Sequence, residues 1–294
     1  MEKKRSAVAL GIFDGLHLGH RAVINSAAAQ SKNGLSAAVF TFEPECALRK
    51  AGGSSGYIYT SSEKELLLRE RLGIRSIFCP QFEDMRELSG EEFAEEILSR
   101  CMNAAYVCCG SDFRFGKGAS CGHKELADFG KRLGFEVEVI GSVEHDGSAV
   151  SSSRIRELLL SGDVSAANRL LGEEYFIRAV ITQGDHIGRT IDFPTINQDF
   201  AEGRLIPRYG VYATFTDVGG KRFPSVTNIG VKPTIKGERR PLAETHIIGF
   251  GGDIYGVEAV VSFRSFIRPE VRFSSLDELK KQIKSDTESA IKIL

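Results

Sequence analysis

The sequence predicts an α/β protein made of two dissimilar parts. The first is an N-terminal three-layer domain with a mainly parallel sheet; the second is a C-terminal antiparallel β-barrel or sandwich with a terminal helix. Three observations predict this. At 294 residues the chain is long enough to bury two cores. From residue 7 to about 140, short apolar or β-branched runs alternate with stretches of helical periodicity, as parallel strands joined by helical crossovers require. From 175 to 273, β-type runs follow one another between closely spaced Gly, Pro and Asp turns, which is antiparallel texture.

The elements follow in order. Strands are expected at AVALGIF, LSAAVFTF, SIFCP, AYVCCG and FEVEVIG. Between them, HRAVINSAAAQSK, SSEKELLLRERLG, SGEEFAEEILSRC and KELADFGKRLG carry apolar residues at helical spacing. SSSRIRELLLSGDVSAANRLLG reads as two amphipathic helices joined by a Gly-Asp turn, and the composition changes near Gly172. The expected domains are therefore 1–172 and 173–294. The second begins with YFIRAVIT and continues through GVYATFTDV, PSVTNIG, ETHIIGF and EAVVSFRSFI. SSLDELKKQIKSDTESAIKIL closes the chain as a helix, with a capping box from Ser275 to Glu278 and an apolar stripe of Leu276, Leu279, Ile283 and Ile291.

Charge narrows the function classes. A formal net charge of -1 offers no basic field for nonspecific nucleic-acid binding, so no polynucleotide partner is expected. MEKKRSAVALGIF is basic and then briefly apolar, but Asp14 follows at once and no small-residue cleavage site appears. No apolar run approaches the roughly 20 residues of a membrane helix, and no membrane partner is expected. The six cysteines, Cys46, Cys79, Cys101, Cys108, Cys109 and Cys121, lack regular spacing and read as free thiols of a cytoplasmic protein. Alternation turns Cys108 and Cys109 to opposite faces of their strand. Monomer is the default oligomeric state.

The loop after the first strand, GIFDGLHLGHRAVINSA, joins glycines and two histidines at a helix start. A helix beginning near Leu18 presents unpaired N–H groups and partial positive charge, and Gly11, Gly15 and Gly19 allow close approach of a phosphate. His17 and His20, at i and i+3, project to the same side of that mouth. There they could stabilise charge developing on a phosphate. A metal pair or ordinary helix capping remains open on the residues alone.

The wider string FDGLHLGH resembles the HxGH signature of nucleotidyltransferases, with a Rossmann-like fold. VSSSRIR, Val150 to Arg156, is similar to their ISSTxIR element, with Ser153 in place of Thr. CGSDFRFGKG resembles the GxDFxFG segment of bacterial bifunctional FAD synthetases, which join a flavin adenylyltransferase to a riboflavin kinase. The resemblance implies that His17 and His20 are catalytic. It further implies that Gly11, Phe13, Asp14, Gly15, Gly19, Asp112, Phe113, Phe115, Ser152, Ser153 and Arg156 hold nucleotide and flavin. A tight turn with two core phenylalanines is the alternative for DFRF. The chain departs from the family at TFEPEC, where Glu45 and Cys46 replace a usual His-Pro, and at GASCG.

GDHIGRTIDFPTIN resembles the riboflavin kinase signature GRTxGFPTAN. The resemblance implies that Gly184, Gly188, Arg189, Thr190, Pro194, Thr195 and Asn197 bind ATP, with Thr195 and Asn197 engaging Mg²⁺. A Pro-containing turn is the bland alternative. LAETHIIGFGGDIYG matches the family's xExHxxxFxxDxYG run, which implies Glu244 as catalytic base; a solvated sheet face is the other reading for a strand glutamate. TNIGVKPT and FIRPEVRFSSLDELKKQI match in order, and the resemblance implies flavin contacts for Arg268 and Phe273.

The expected function is bifunctional. Riboflavin and ATP would give FMN and ADP in the C-terminal domain, and FMN with a second ATP would give FAD and pyrophosphate in the N-terminal one. Mg²⁺ is the expected cofactor, and ATP, riboflavin and FMN are the small-molecule partners. Two alternatives stay open: a riboflavin kinase with a degenerate first domain, and a flavin-binding regulator without turnover.

Overall fold

The computed structural model describes residues 4–45, 56–183, 193–233, 239–252 and 254–294. It divides into two compact units, Met1–Ser152 and Ser153–Leu294. Among the described residues no helix is long and apolar enough to cross a membrane.

The first unit is built on a five-stranded parallel sheet. Its strands are β1 (Ser6–Leu10), β2 (Ser36–Phe40), β3 (Ser76–Phe78), β4 (Ala104–Gly110) and β7 (Glu136–Ile140), in the order β3-β2-β1-β4-β7. The chain runs outward from β1 through β2 to β3, then returns to place β4 on the other side of β1. The order therefore reverses between β1 and β4, and the crevice for a ligand opens beyond their carboxyl ends. Two short hairpins accompany the sheet, β5 (Arg114–Phe115) with β6 (Cys121–Gly122), and β8 (Glu144–His145) with β9 (Ser148–Ala149).

Helices cover both faces of this sheet. On one lies α1 (Leu18–Ala29); the Cys108 thiol of β4 donates to Val23 O of this helix at 3.1 Å. On the other lie α4 (Gly90–Glu92, running on as a π-helical Phe93–Cys101) and α5 (His123–Leu133). Val8, Leu10, Val107 and Cys109 pack there against Phe93, Ile97, Leu98 and Leu126. The adjacent cysteines thus face opposite layers, as strand alternation requires. Burial pushes the Cys108 thiol up to about 12 and that of Cys109 up to about 11. Two further helices flank β3 in the chain, α2 (Ser61–Leu66, continued as a π-helical Leu67–Arg71) and the single turn α3 (Phe82–Met85).

The second unit contains α6 (Ser152–Ser161, from Ser153 onward) and α7 (Val164–Leu171), followed by a six-stranded antiparallel sheet. Its strands are β10 (Phe176–Val180), β11 (Thr195–Asp199), β12 (Gly210–Val218), β13 (Lys221–Pro233), β14 (Arg239–Ile247) and β15 (Glu258–Arg268). They lie in the order β10-β15-β12-β13-β14-β11, and Thr182, just past β10, bridges Asn197 of β11. The sheet is therefore a nearly closed barrel. The division between units falls two helices before the change of composition near Gly172. The reason is packing: Ser165 and Asn168 of α7 donate to the carbonyls of Arg264 and Phe263 on β15, so these helices group with the barrel.

The barrel interior is partly polar. Thr216, Ser225, Thr214, Thr227 and Thr245 form a ladder of hydroxyl hydrogen bonds at 2.8–2.9 Å, all without solvent exposure. Ile181, Ile196, Val218, Ile247 and Ala259 fill an apolar layer. The terminal helix α8 (Leu276–Ile293) departs from its expected stripe: Leu276 and Ile291 are each 55% exposed, whereas Asp286 and Ala290 are buried. Asp286 is drawn inward because Arg268 of β15 grips its carboxylate with two bonds, at 2.9 and 2.7 Å. The cap is also distributed over two serines: Ser275 Oγ accepts from Glu278 N, while the Glu278 carboxylate receives Ser274 N and Oγ.

Candidate functional site

The loop from β1 to α1 lies at the strand-order reversal, and almost every residue in it is tied. Phe13 and Leu16 take left-handed conformations, φ 54 and 45, as does Gly15 at φ 84. The Phe13 ring folds back over Gly11, where an added Cβ would fall 2.6 Å from it. Asp14 is buried. Its Oδ1 accepts from Ile58 N at 2.9 Å, and its carbonyl accepts from Ser152 Oγ at 2.8 Å. Arg21 Nε donates to Leu16 O at 2.9 Å. Asp14 and Ser152 thus shape the loop through these bonds.

His17 is the N-cap of α1, and its Nδ1 accepts the His20 amide hydrogen at 3.3 Å. The two imidazoles stack with centroids 3.6 Å apart and planes 17° from parallel, and Phe13 meets the His20 ring edge-on at 5.4 Å. Gly19 makes room for this, since a Cβ there would come 3.2 Å from the His17 ring. Burial lowers the His17 pKa to about 4, against an opposing pull from the Asp112 carboxylate. At neutral pH His17 is therefore uncharged. With Nδ1 acting as acceptor, its proton sits on Nε2, a hydrogen-bond donor at a helix mouth. Capping and phosphate chemistry are thus compatible roles for one side chain. Among the described residues, no group of three or more His, Cys, Asp or Glu is placed to hold a metal ion.

The DFRF segment divides by depth. Asp112 is exposed, yet near enough to His17 to influence its proton affinity. Phe115 is buried against Phe93 and Phe129, a core position, and Phe113 stacks on it from a half-buried one. Arg156 is buried on α6, in the second unit, as Ser153 opens that unit. Glu45 is exposed and Cys46 lies outside the described residues. Sequence reasoning missed Lys64, a buried lysine on α2 whose ammonium donates to Ile12 O, Thr41 Oγ1 and Phe42 O. Only the capping box before it, Thr60 to Glu63, leaves a legible signal.

In the barrel, Gly184, Gly188, Arg189 and Thr190 lie outside the described residues. Downstream, Pro194 O contacts His246 Nδ1 at 2.9 Å, and Phe193 meets the His246 ring edge-on at 5.2 Å. Register then aligns the motifs: Thr195 of β11 pairs with His246 of β14, and Asn197 pairs with Glu244. Glu244 is paired in turn with Asn228 of β13, so Asn197, Glu244 and Asn228 form a row across three strands. Asn197 is buried, and its Oδ1 has no hydrogen-bond partner among the described residues. A carbonyl oxygen in that condition, two residues from the Thr195 hydroxyl on one face of a strand, suits a hard cation such as Mg²⁺. Arg268 is engaged by Asp286, and its guanidinium lies 5.9 Å from the Phe273 ring centroid.

Known proteins resemble this chain along nearly its whole length. A family model described as FAD synthetase matches residues 1–154, and one described as riboflavin kinase matches residues 171–294. The bifunctional riboflavin kinase/FMN adenylyltransferase of Bacillus subtilis is 35% identical over 99% of this chain and 93% of its own length. The Escherichia coli K12 protein of the same description is 33% identical over 94% of this chain and 89% of its own. A crystal structure described as a macrolide-efflux protein from Streptococcus pneumoniae superposes with a TM-score of 0.84 at 29% identity, covering 99% of this chain and 95% of that one.

Proposed function

We infer the division of labour in this chain from the family it belongs to, the bifunctional riboflavin kinase/FMN adenylyltransferases. The chain is a transferase with two activities. It phosphorylates riboflavin with ATP to give FMN and ADP, and it transfers an adenylyl group from a second ATP to FMN, giving FAD and pyrophosphate.

We assign adenylyl transfer to the first unit together with the VSSSRIR segment. A phosphate oxygen of FMN attacks the α-phosphorus of ATP in line; the bond to the bridging oxygen of the β-phosphate breaks, and pyrophosphate leaves with that electron pair. The neutral His17 donates from Nε2, and His20 beside it and the α1 amides add further positive potential to the transition state. No proton is withdrawn from the nucleophile, so an uncharged imidazole held as a donor serves better than a base. Ser153 and Arg156 are assigned to the β- and γ-phosphates, in keeping with the charge-assisted geometry of guanidinium and phosphate.

Riboflavin phosphorylation is assigned to the barrel. Glu244 accepts the proton of the ribityl 5′-hydroxyl while its oxygen attacks the γ-phosphorus and ADP departs. Thr195 and Asn197 would hold Mg²⁺, which when bound supplies charge neutralisation on the phosphates. The observation that carries the reading is the direct pairing of Asn197 with Glu244, which brings two distant motifs to one point. A monomer acting in the cytoplasm on these small molecules completes the proposal, with the working boundary between the two chemistries near residue 172.

The deciding experiment supplies riboflavin, ATP and Mg²⁺ and separates FMN from FAD. Both products are expected. FMN without FAD would reduce the chain to a kinase, and flavin binding without ATP consumption would make it a regulator. In Glu244→Gln, FAD should still form when FMN is supplied, while FMN formation from riboflavin should fall by on the order of 100-fold or more.

A further inference from the structure

The first unit buries a cation that the chemistry above leaves unused. Lys64, 5% exposed, donates from Nζ to Ile12 O at 3.1 Å, to Thr41 Oγ1 at 3.0 Å and to Phe42 O at 2.5 Å. Thr41 Oγ1 in turn donates to Ile12 O at 2.8 Å, so that carbonyl receives two hydrogen bonds and both of its lone pairs are engaged. Such attention to one carbonyl has a reason in the next residue. Phe13 stands at φ 54, a conformation disfavoured for any residue with a side chain, which persists only where its surroundings impose it.

One residue further, Asp14 Oδ1 accepts from Ile58 N. The stretch from Ile58 to Lys64 therefore ties the loop on both sides of Phe13. The Phe13 ring lies over Gly11 and meets His20 edge-on, and His20 stacks on His17. A continuous line of contact runs from the Lys64 ammonium to the histidine pair.

We propose that Lys64 is a positioning residue for adenylyl transfer: it fixes the Ile12 carbonyl, thereby holds Phe13 left-handed, and through the Phe13 ring sets the place of His20 and His17. The inference rests on the adenylyltransferase reading of the histidine pair. A lysine suits the position because oxygens of three described residues converge there, and an ammonium can donate to several acceptors at once. An apolar side chain of equal length would take a donor from each of those oxygens and leave the Ile12 carbonyl with the Thr41 bond in place of two.

The test uses the full chain with Lys64→Met, which keeps length and removes every donor, and Lys64→Arg, which keeps the charge. For Lys64→Met, kcat for FAD formation is expected to fall about 30-fold or more, with KM for ATP and FMN within about twofold of wild type. Riboflavin kinase activity, belonging to the other unit, should stay unchanged. Lys64→Arg should restore kcat to within about fivefold of wild type. The Cε1–H resonances of His17 and His20, displaced by stacking, should move toward unstacked positions in Lys64→Met and remain in Lys64→Arg. That readout needs no turnover, so it judges the role of Lys64 even if the wild-type chain forms no FAD.

Wild-type kcat in Lys64→Met, or unmoved histidine resonances, would overturn the proposal. A raised KM for ATP at unchanged kcat would overturn it in favour of direct substrate contact. Loss of the first unit's cooperative unfolding in both variants would overturn it in favour of scaffolding alone.

Discussion

His17 accepts the amide hydrogen of His20 on Nδ1 while the two rings stack 3.6 Å apart. One side chain thus starts the helix, fixes its own tautomer and supports its partner. The cap and the candidate chemistry can be separated because they draw on different atoms of the imidazole.

Asparagine is among the best N-cap residues, so His17→Asn should retain helix α1 with a stability change within about 1 kcal/mol, whereas His17→Ala should lose about 1 kcal/mol. Both should lower FAD formation by on the order of 100-fold or more, since neither supplies the Nε2 donor. FMN formation should persist in both. Urea denaturation followed with product analysis checks the two effects separately, and an Asn variant with wild-type FAD output would dissociate the ring from the reaction.

Burial holds the His17 pKa near 4 in the folded chain, below its ordinary value of 6.5. Between these values the unfolded chain binds a proton that the folded one does not. The corresponding stability is complete above pH 6.5 and drains away as pH falls toward 4, by on the order of 3 kcal/mol for this group. Denaturation of the first unit at a series of pH values should show this slope, and His17→Asn should flatten it by that amount.

Gly19→Ala opposes two effects. Alanine inside a helix is favoured over glycine by about 1 kcal/mol, but its Cβ would stand 3.2 Å from the His17 ring. The variant should be about as stable as wild type and form FAD about tenfold more slowly, because a small ring displacement is enough to misplace a donor. Thermal melts with single-turnover FAD formation check it; an unchanged rate would show that the ring has slack.

Arg268 and Asp286 bind α8 to β15 through two hydrogen bonds, and Gln282 adds a third to the same carboxylate. Asp286 is the more deeply buried partner, so Arg268→Met should destabilise the second unit by about 3 kcal/mol by leaving a carboxylate without its cation. Asp286→Leu combined with Arg268→Met should recover much of that loss. If Arg268 also serves flavin by contact, the double variant would regain stability and yet keep a raised KM for riboflavin.

Much of the architecture was legible from periodicity. The alternation of apolar runs and helical stretches located the parallel strands, and the doublet Cys108-Cys109 already implied two covered faces, because adjacent strand residues point oppositely. That His17 and His20 share one side of the helix mouth followed from i,i+3 spacing, whereas their ring stacking is a product of the folded loop. The stripe on α8 misled at its ends: hydrophobicity nominated Leu276 and Ile291, but a guanidinium on a neighbouring strand drew Asp286 inward instead.

By itself, then, the sequence determined the order and type of the main elements other than β11 and the two short hairpins, the helix mouth after β1 and the motifs set along the chain, since these depend on local spacing and turn chemistry. Tertiary structure decided what lies opposite what. Asn197 meets Glu244 only through the register of β11 and β14. The Ile12 carbonyl is held by Thr41 and Lys64, both far along the chain. Register and buried polar ties are long-range choices, made by the packing of whole elements, and no window of residues contains both partners.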